Sequence, residues 1–401
     1  MSTAILQTEH LAVGYDGHAV IEQVNIDALR GSMICLLGPN GAGKSTILRT
    51  LSGMLSPVHG AVYVESSNIG SITRKTLAQK MAVVLTDKMN PGLLTAIEIV
   101  AMGRHPYTGF FGRLKNADRD VVNAALDSVN ALPLASRYYN ELSDGEKQKI
   151  LIARALAQEP ELIILDEPTS HLDIRHRIEV MTILSRLCKD KGITVILSLH
   201  DIDLALKGCE TVLMVKDGRI VAQGAPEQIV HQGVVQELYD ITHAHYDDLL
   251  GSLEFSSSCA SSVFVTGGAG SGIPVYRALR RAGYGMDCGV LHQSDVDAHV
   301  ARALCNSLVL ERDFEQITDA RYENALTLLR KQKVVIDTGF PVGDINLRNV
   351  SLIQEAVKLD STVLSLRRRE EAYMIFGKAA EVMGFFYDTH LLLGWIKENV
   401  T

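Results

Sequence analysis

Gly38-Pro39-Asn40-Gly41-Ala42-Gly43-Lys44-Ser45-Thr46 fits the pattern G-x-x-x-x-G-K-[ST] without a mismatch. Glycines let a backbone curl so that successive N–H groups point at one anion. Lys44 can add a point charge at the β- and γ-phosphates of a nucleotide. Ser45 can offer its hydroxyl to Mg²⁺, an ion that keeps several waters and takes few protein ligands. Ahead of the loop, Ser32–Leu37 reads as a short buried strand. Behind it, Ile47, Leu48, Leu51, Met54 and Leu55 recur at helical spacing. The order strand, loop, helix brings a phosphate to a helix N-terminus, where the dipole and the free N–H groups favour it.

Further along, Glu161-Leu162-Ile163-Ile164-Leu165-Asp166-Glu167-Pro168 is an apolar strand that ends in two carboxylates. Adjacent acids after a strand are ordinarily a solvated turn; a phosphate loop upstream provides them with a task. Asp166 can hold Mg²⁺ through water, and Glu167 can orient or deprotonate an attacking water. Ile193–Leu199 is a second buried strand with His200 at its carboxyl end, the edge at which open α/β sheets bind ligands. A lone histidine is more often structural, but this one is placed like a γ-phosphate sensor. Between these strands and the loop, Leu142-Ser143-Asp144-Gly145-Glu146 opens a helix expected to run to about Gln158. Ser143 is its N-cap, with Glu146 three residues on, as in a capping box.

The N-terminal residues 4–30 alternate as short antiparallel strands, Ile5–Gln7, Leu11–Val13, Ala19–Ile21 and Val24–Ile26. Tyr15 lies in the turn Gly14–Gly17, where its ring can stack on adenine or simply fill the turn. Met81–Leu85 reads as a β-branched strand followed by Thr86-Asp87-Lys88, and residues 95–103 and 116–140 read as helices.

Composition bounds what the chain can be. Its 401 residues suggest about two or three domains. A net charge of −8 argues against a nucleic-acid surface. The six cysteines form no C-x-x-C pair, and several sit in apolar runs, which fits a reducing compartment better than a disulfide framework. The N-terminus has no basic stretch leading an apolar core, so no signal peptide is read there. No apolar run approaches the length of a membrane span, so membrane work would need another chain to do the spanning.

The pieces together resemble the nucleotide-binding domain of ABC transporters over about residues 1–245. The resemblance rests on a Walker A loop at Gly38–Thr46, a signature at Leu142–Glu146 and a Walker B strand ending in Asp166-Glu167. A D-loop at Ser170–Asp173 and a switch histidine at His200 follow in order. It implies a P-loop α/β fold with a mixed sheet core, an antiparallel β subdomain and a helical subdomain. It implies ATP and Mg²⁺ as cofactors. The ATP-binding residues are then Tyr15, the whole loop Gly38, Pro39, Asn40, Gly41, Ala42, Gly43, Lys44, Ser45 and Thr46, and from a partner subunit Ser143 and Gly145. Lys44, Glu167 and His200 become catalytic, and Ser45, Asp166 and Asp87 metal-binding.

Two departures from the family pattern stand out. Asp144 replaces a glycine of the signature, and Asp87 stands where the family has the Q-loop glutamine. Within the family, Gly103-Arg104-His105-Pro106-Tyr107 and Thr169–Asp173 look like the importer ATPases for iron–siderophore, haem and cobalamin. That implies a homodimer docked on an integral membrane permease at the cytoplasmic face of the inner membrane. A substrate-binding protein would be reached only indirectly. The competing classes are a soluble ABC-type ATPase and a degenerate regulatory one. Only 98 residues separate Lys44 from Ser143, too few for the coiled coil of repair-type chains. One ATPase set speaks against the tandem translation type.

The ATPase domain is expected over 1–250, a small polar linker over 251–262, and over 263–401 a Rossmann-like α/β domain that is either a regulatory ligand-binding module or a dimerisation or docking piece. In that last region strands and helices alternate, which implies a parallel sheet. Its loop Thr266–Gly272 could cradle a phosphate or be a tight turn with no ligand. Asp337–Asn346 is a second loop at a strand's carboxyl end. The domain looks similar to C-terminal extensions of some cobalamin- and iron-type ABC ATPases.

Overall fold

A computed structural model describes residues 4–85, 91–108, 112–230, 233–242, 244–247, 251–255 and 259–400. The chain forms two compact units, Met1–Tyr239 and Asp240–Thr401. In the first, the strands are β1 (Ala4–Tyr15), β2 (His18–Val24), β3 (Asp27–Leu29), β4 (Met33–Leu37), β5 (His59–Val64) and β6 (Ser67–Asn68). They continue with β7 (Met81–Val84), β8 (Leu162–Leu165), β9 (Thr194–Leu199), β10 (Thr211–Lys216) and β11 (Arg219–Gly224).

Two sheets result. An antiparallel one has the order β2-β1-β5-β6, with β3 also on β1. The central one has the order β11-β10-β4-β9-β8-β7, parallel except for β11. The two N-terminal segments expected as separate strands form one strand, β1, whose register slips between Glu9 and Ala12 while His10 takes a left-handed φ of 46°. Buried Ile5, Leu11 and Val24 meet Leu36, Ile164 and Ile196 of the central sheet, and Ile47 and Leu48 from the helix Lys44–Leu51. Each such side chain contributes about 1.5–3 kcal/mol when fully buried.

The helices Ala96–Ala101, Asn116–Ser128 and Asp144–Leu156 pack on one another. The helix expected over 116–140 stops at Ser128, because Asn130 turns left-handed (φ 54°) and Pro133 lies just beyond.

The second unit has strands β12 (Ala244–Asp247), β13 (Ser252–Phe255), β14 (Ser261–Thr266), β15 (Gly285–His292), β16 (Ser307–Glu311), β17 (Val334–Asp337), β18 (Thr362–Ser365) and β19 (Gly384–Phe385). Its six-stranded sheet is parallel throughout, in the order β16-β15-β14-β17-β18-β19. Counted from the first strand that order is 3-2-1-4-5-6, the doubly wound arrangement. Both faces are covered: Val263 and Val265 of β14 join one apolar cluster and Phe264 the other. Part of the expected linker is structured. β13 pairs with β12 as a hairpin packed on the helix Val296–Leu304, so the boundary falls after Tyr239 rather than at 251–262. Ser256–Ser258 of that linker lie outside the described residues. Among the described residues no helix is long and apolar enough to cross a membrane, and the six cysteines form no disulfide.

Candidate active site

The parallel register sets Leu37 beside Leu199 and Leu165 beside Leu197, so β4, β8 and β9 end at one edge. The Gly38–Thr46 loop follows β4, Asp166 and Glu167 follow β8, and His200 follows β9. Two loop glycines are required by geometry. A Cβ on Gly38 would stand 2.1 Å from the Val215 carbonyl oxygen, and Gly43 has φ +103° with the Ile21 side chain 2.6 Å from where its Cβ would be.

Lys44 is buried, and its Nζ donates to the carbonyl oxygens of Gly38 (2.7 Å) and Pro39 (2.9 Å). The charge is thus held inside the curl of the loop. Burial pushes its pKa below the usual lysine range, opposed by the carboxylates of Glu167 and Asp166. Tyr15 is 46% exposed, with its hydroxyl 3.4 Å from Thr46 Oγ1, so its ring stands free beside the loop.

Asp166 Oδ1 accepts from Ser45 Oγ (3.1 Å) and from Ser198 Oγ (2.7 Å). Ser45 Oγ and Asp166 Oδ1 are hard oxygen donors side by side, a set that suits Mg²⁺. Glu167 follows in a left-handed conformation, φ 50°, which costs a non-glycine residue roughly 1–2 kcal/mol. Its backbone is held there from both ends. The Glu167 N–H donates to Ser198 Oγ (2.9 Å), and its carbonyl accepts from the Ser170 N–H (3.1 Å). The carboxylate is held too, by Ser170 Oγ at 3.0 Å and His200 Nε2 at 2.5 Å. Burial alone would raise the Glu167 pKa. The His200 and Ser170 hydrogen bonds, with the charge of Lys44, overcome it and bring the group below the usual glutamate range.

Ser143 caps the helix Asp144–Leu156 as expected. Its Oγ accepts from the Glu146 N–H (3.3 Å) and donates to Glu146 Oε2 (3.0 Å). Gly145 is packed against the ring of His176: a Cβ there would come within 2.3 Å of it. His176 in turn pairs with Asp173 at 2.9 Å, so signature and D-loop touch within one chain. Gly103 lies against the far end of the same helix, where a Cβ would meet the Arg154 carbonyl at 2.2 Å. Buried Arg104 reaches Asp118 (3.0 Å), Glu159 (2.6 Å) and the Ala157 carbonyl (2.8 Å). Asp87, expected at the metal, lies outside the described residues.

Ser198, which the sequence patterns do not single out, touches both Asp166 and Glu167, whereas Ser170 of the D-loop touches Glu167 alone. The signal for Ser198 was present: a hydroxyl inside an otherwise apolar strand end, two residues before His200. His176 gave no comparable signal.

In the second unit the Gly267–Gly272 loop is closed on itself. Fully buried Asp297 accepts from the N–H groups of Gly268 (2.7 Å), Gly272 (2.9 Å) and Ile273 (3.1 Å). The Ala269 N–H goes to Asp295, at 2.9 and 3.1 Å to its two oxygens. Ser271 Oγ and Thr338 Oγ1, 2.6 Å apart, join this loop to the one after β17. The amides that would face a phosphate already face carboxylates of the same chain, which fits a tight turn with no ligand. Asp295 caps the helix that carries Asp297.

Residues 21–170 match the ABC transporter family, and residues 286–387 match the MJ0874 family. An uncharacterized ABC transporter ATP-binding protein of Methanocaldococcus jannaschii is 43% identical over 289 residues, 72% of this chain and 100% of that one. The ferric enterobactin transport ATP-binding protein FepC of Escherichia coli is 36% identical over 247 residues, 62% of this chain and 91% of its own. The cobalamin import ATP-binding protein BtuD of Halobacterium salinarum is 32% identical over 326 residues, 79% of this chain and 81% of its own. The inward-facing structure of an ABC transporter described as of metal-chelate type superposes with a TM-score of 0.54 at 29% identity, covering 63% of this chain and 96% of that one.

Proposed function

This chain belongs to the ABC transporter ATP-binding proteins, and from that premise we propose that it drives import of a metal-chelate cargo, cobalamin first, through a separate membrane permease. The observation that carries the hydrolytic part is the convergence of Ser45, Asp166, Glu167, Ser170 and His200 on one edge beside the buried Lys44 ammonium. The cargo assignment rests on reach. The cobalamin relative aligns with 79% of this chain, more than the residues Met1–Tyr239 can supply, so it includes part of the second unit.

Phosphoryl transfer to water leaves the protein chiefly positioning and charge to provide. Lys44 exchanges its two loop carbonyls for phosphate oxygens when ATP enters. Ser45 and Asp166 would hold Mg²⁺, which neutralises charge on the phosphates when bound. Glu167 is the base: it is ionised, aimed by two hydrogen bonds, and takes the proton of the attacking water. His200 holds that carboxylate and stands by the γ-phosphate. Tyr15 stacks on adenine. Ser143 and Gly145 serve the nucleotide of a second copy, so the working form is a homodimer, peripheral at the cytoplasmic face of the membrane. Asp87 serves the metal. The second unit acts as a docking or regulatory piece, without a phosphate at the Gly267–Gly272 loop.

The test is to purify the Glu167→Gln protein with ATP from native membranes, then reconstitute the wild type with whatever permease accompanies it. Cobalamin-stimulated ATPase in liposomes is the expected result. Stimulation by ferric siderophore alone would overturn the cargo assignment, and a complex with only soluble partners would overturn the import reading.

A further inference from the structure

β9 is buried along its whole length, and Ser198 within it has no exposed surface. A hydroxyl so placed costs stability unless it is hydrogen-bonded. Ser198 has one proton to donate, and Glu167 N–H is itself a donor. The proton therefore goes to Asp166 Oδ1 (2.7 Å), and a lone pair receives the Glu167 N–H (2.9 Å). One oxygen thus holds the carboxylate of Asp166 and the peptide that leads into Glu167. The register makes this possible: with Leu165 opposite Leu197, the next residues along the two parallel strands, Asp166 and Ser198, are neighbours.

We propose that Ser198 is a positioning residue of the hydrolytic site, fixing the metal-binding carboxylate and the base with respect to each other. Its bond to Asp166 orients Oδ1, which Ser45 also uses. Its bond to the Glu167 amide keeps that residue in the left-handed conformation from which the side chain reaches His200 and Ser170. Without the hydroxyl, Asp166 can rotate away from Ser45, and the Asp166–Glu167 peptide loses a buried partner. The inference rests on the ATPase reading above.

The test compares full-length wild type with Ser198→Ala and Ser198→Thr. Calorimetry measures ATP affinity in EDTA and in Mg²⁺, and steady-state kinetics measures kcat, KM and the Mg²⁺ concentration for half-maximal rate. Ser198→Ala is expected to bind ATP in EDTA like the wild type, yet to need about tenfold or more extra Mg²⁺ and to lose kcat by a similar factor, the scale of a hydrogen bond to a charged group. KM for ATP at saturating Mg²⁺ should hold. Ser198→Thr, which keeps the hydroxyl, should restore most of the Mg²⁺ response. If Ser198→Ala melts early, Ser198→Cys fills the space with a weak donor and is read on the same quantities. An unchanged Mg²⁺ midpoint and kcat in a folded Ala or Cys variant overturns the proposal. A wild type that neither binds nor hydrolyses ATP would instead overturn the ATPase reading.

Discussion

At the scale of single residues, the account depends on where charge is held. Lys44 is folded onto the Gly38 and Pro39 carbonyls, so Lys44→Ala should lower ATP affinity at least about tenfold, near 1.4 kcal/mol, by titration calorimetry. Wild-type affinity in that variant would contradict the loop assignment. Glu167 is held below the usual glutamate range once His200, Ser170 and Lys44 outweigh its burial. The sign follows: a carboxyl with a lowered folded pKa stays ionised as pH falls through the ordinary range, and its contribution to stability, full above that range, is lost progressively as pH falls from there through the lowered value. The acid limb of the kcat/KM profile should therefore lie below the normal glutamate range in the wild type. In His200→Ala, which removes a principal cause, that limb should move upward. At this scale much was readable. A nine-residue loop, a paired carboxylate and a strand-end histidine are local patterns. Ser198 was harder, because its meaning comes from a neighbouring strand far off in sequence, and that pairing is tertiary.

At the scale of elements, close packing makes two stiff joints. Gly103 lies on the backbone of the helix Asp144–Leu156, where an added methyl has the Arg154 carbonyl 2.2 Å away. Gly103→Ala should therefore destabilise the chain by about 1–3 kcal/mol in urea unfolding, the usual cost of overpacking; no change in midpoint would show that the helix gives way. The other joint is the closed loop of the second unit. Asp297 accepts from three backbone N–H groups, and Asp297→Ala should cost about 1–3 kcal/mol in the same measurement. Wild type should show no calorimetric binding of NAD⁺, since its own carboxylates occupy the amides that a pyrophosphate would need; micromolar binding would contradict that reading. Strand–helix alternation made the parallel sheet readable in advance, β19 apart. The loop's state was not, because a glycine-rich turn looks the same in sequence whether a phosphate or an aspartate fills it. The helix over 116–128 was overextended in the reading because a left-handed asparagine is not marked by composition.

At the scale of the whole molecule, the chain joins an ATPase unit, with an apolar cluster around Leu36, to a doubly wound unit, with clusters around Phe264 and Val263. The Methanocaldococcus jannaschii relative matches over its full length yet leaves much of the second unit unmatched, so the ATPase unit occurs without all of this extension. The proposed sharing of nucleotide between two copies predicts that they close on ATP, and the proposed role of Glu167 as base predicts that replacing its carboxylate stops the cycle after closure. The most direct measurement is light scattering coupled to size exclusion on Glu167→Gln with and without Mg²⁺-ATP, alongside phosphate release. The account predicts a 43.8 kDa species that doubles in mass with Mg²⁺-ATP and turns over at least about a hundredfold slower than the wild type. A variant that keeps its mass with nucleotide and releases phosphate at the wild-type rate would contradict it.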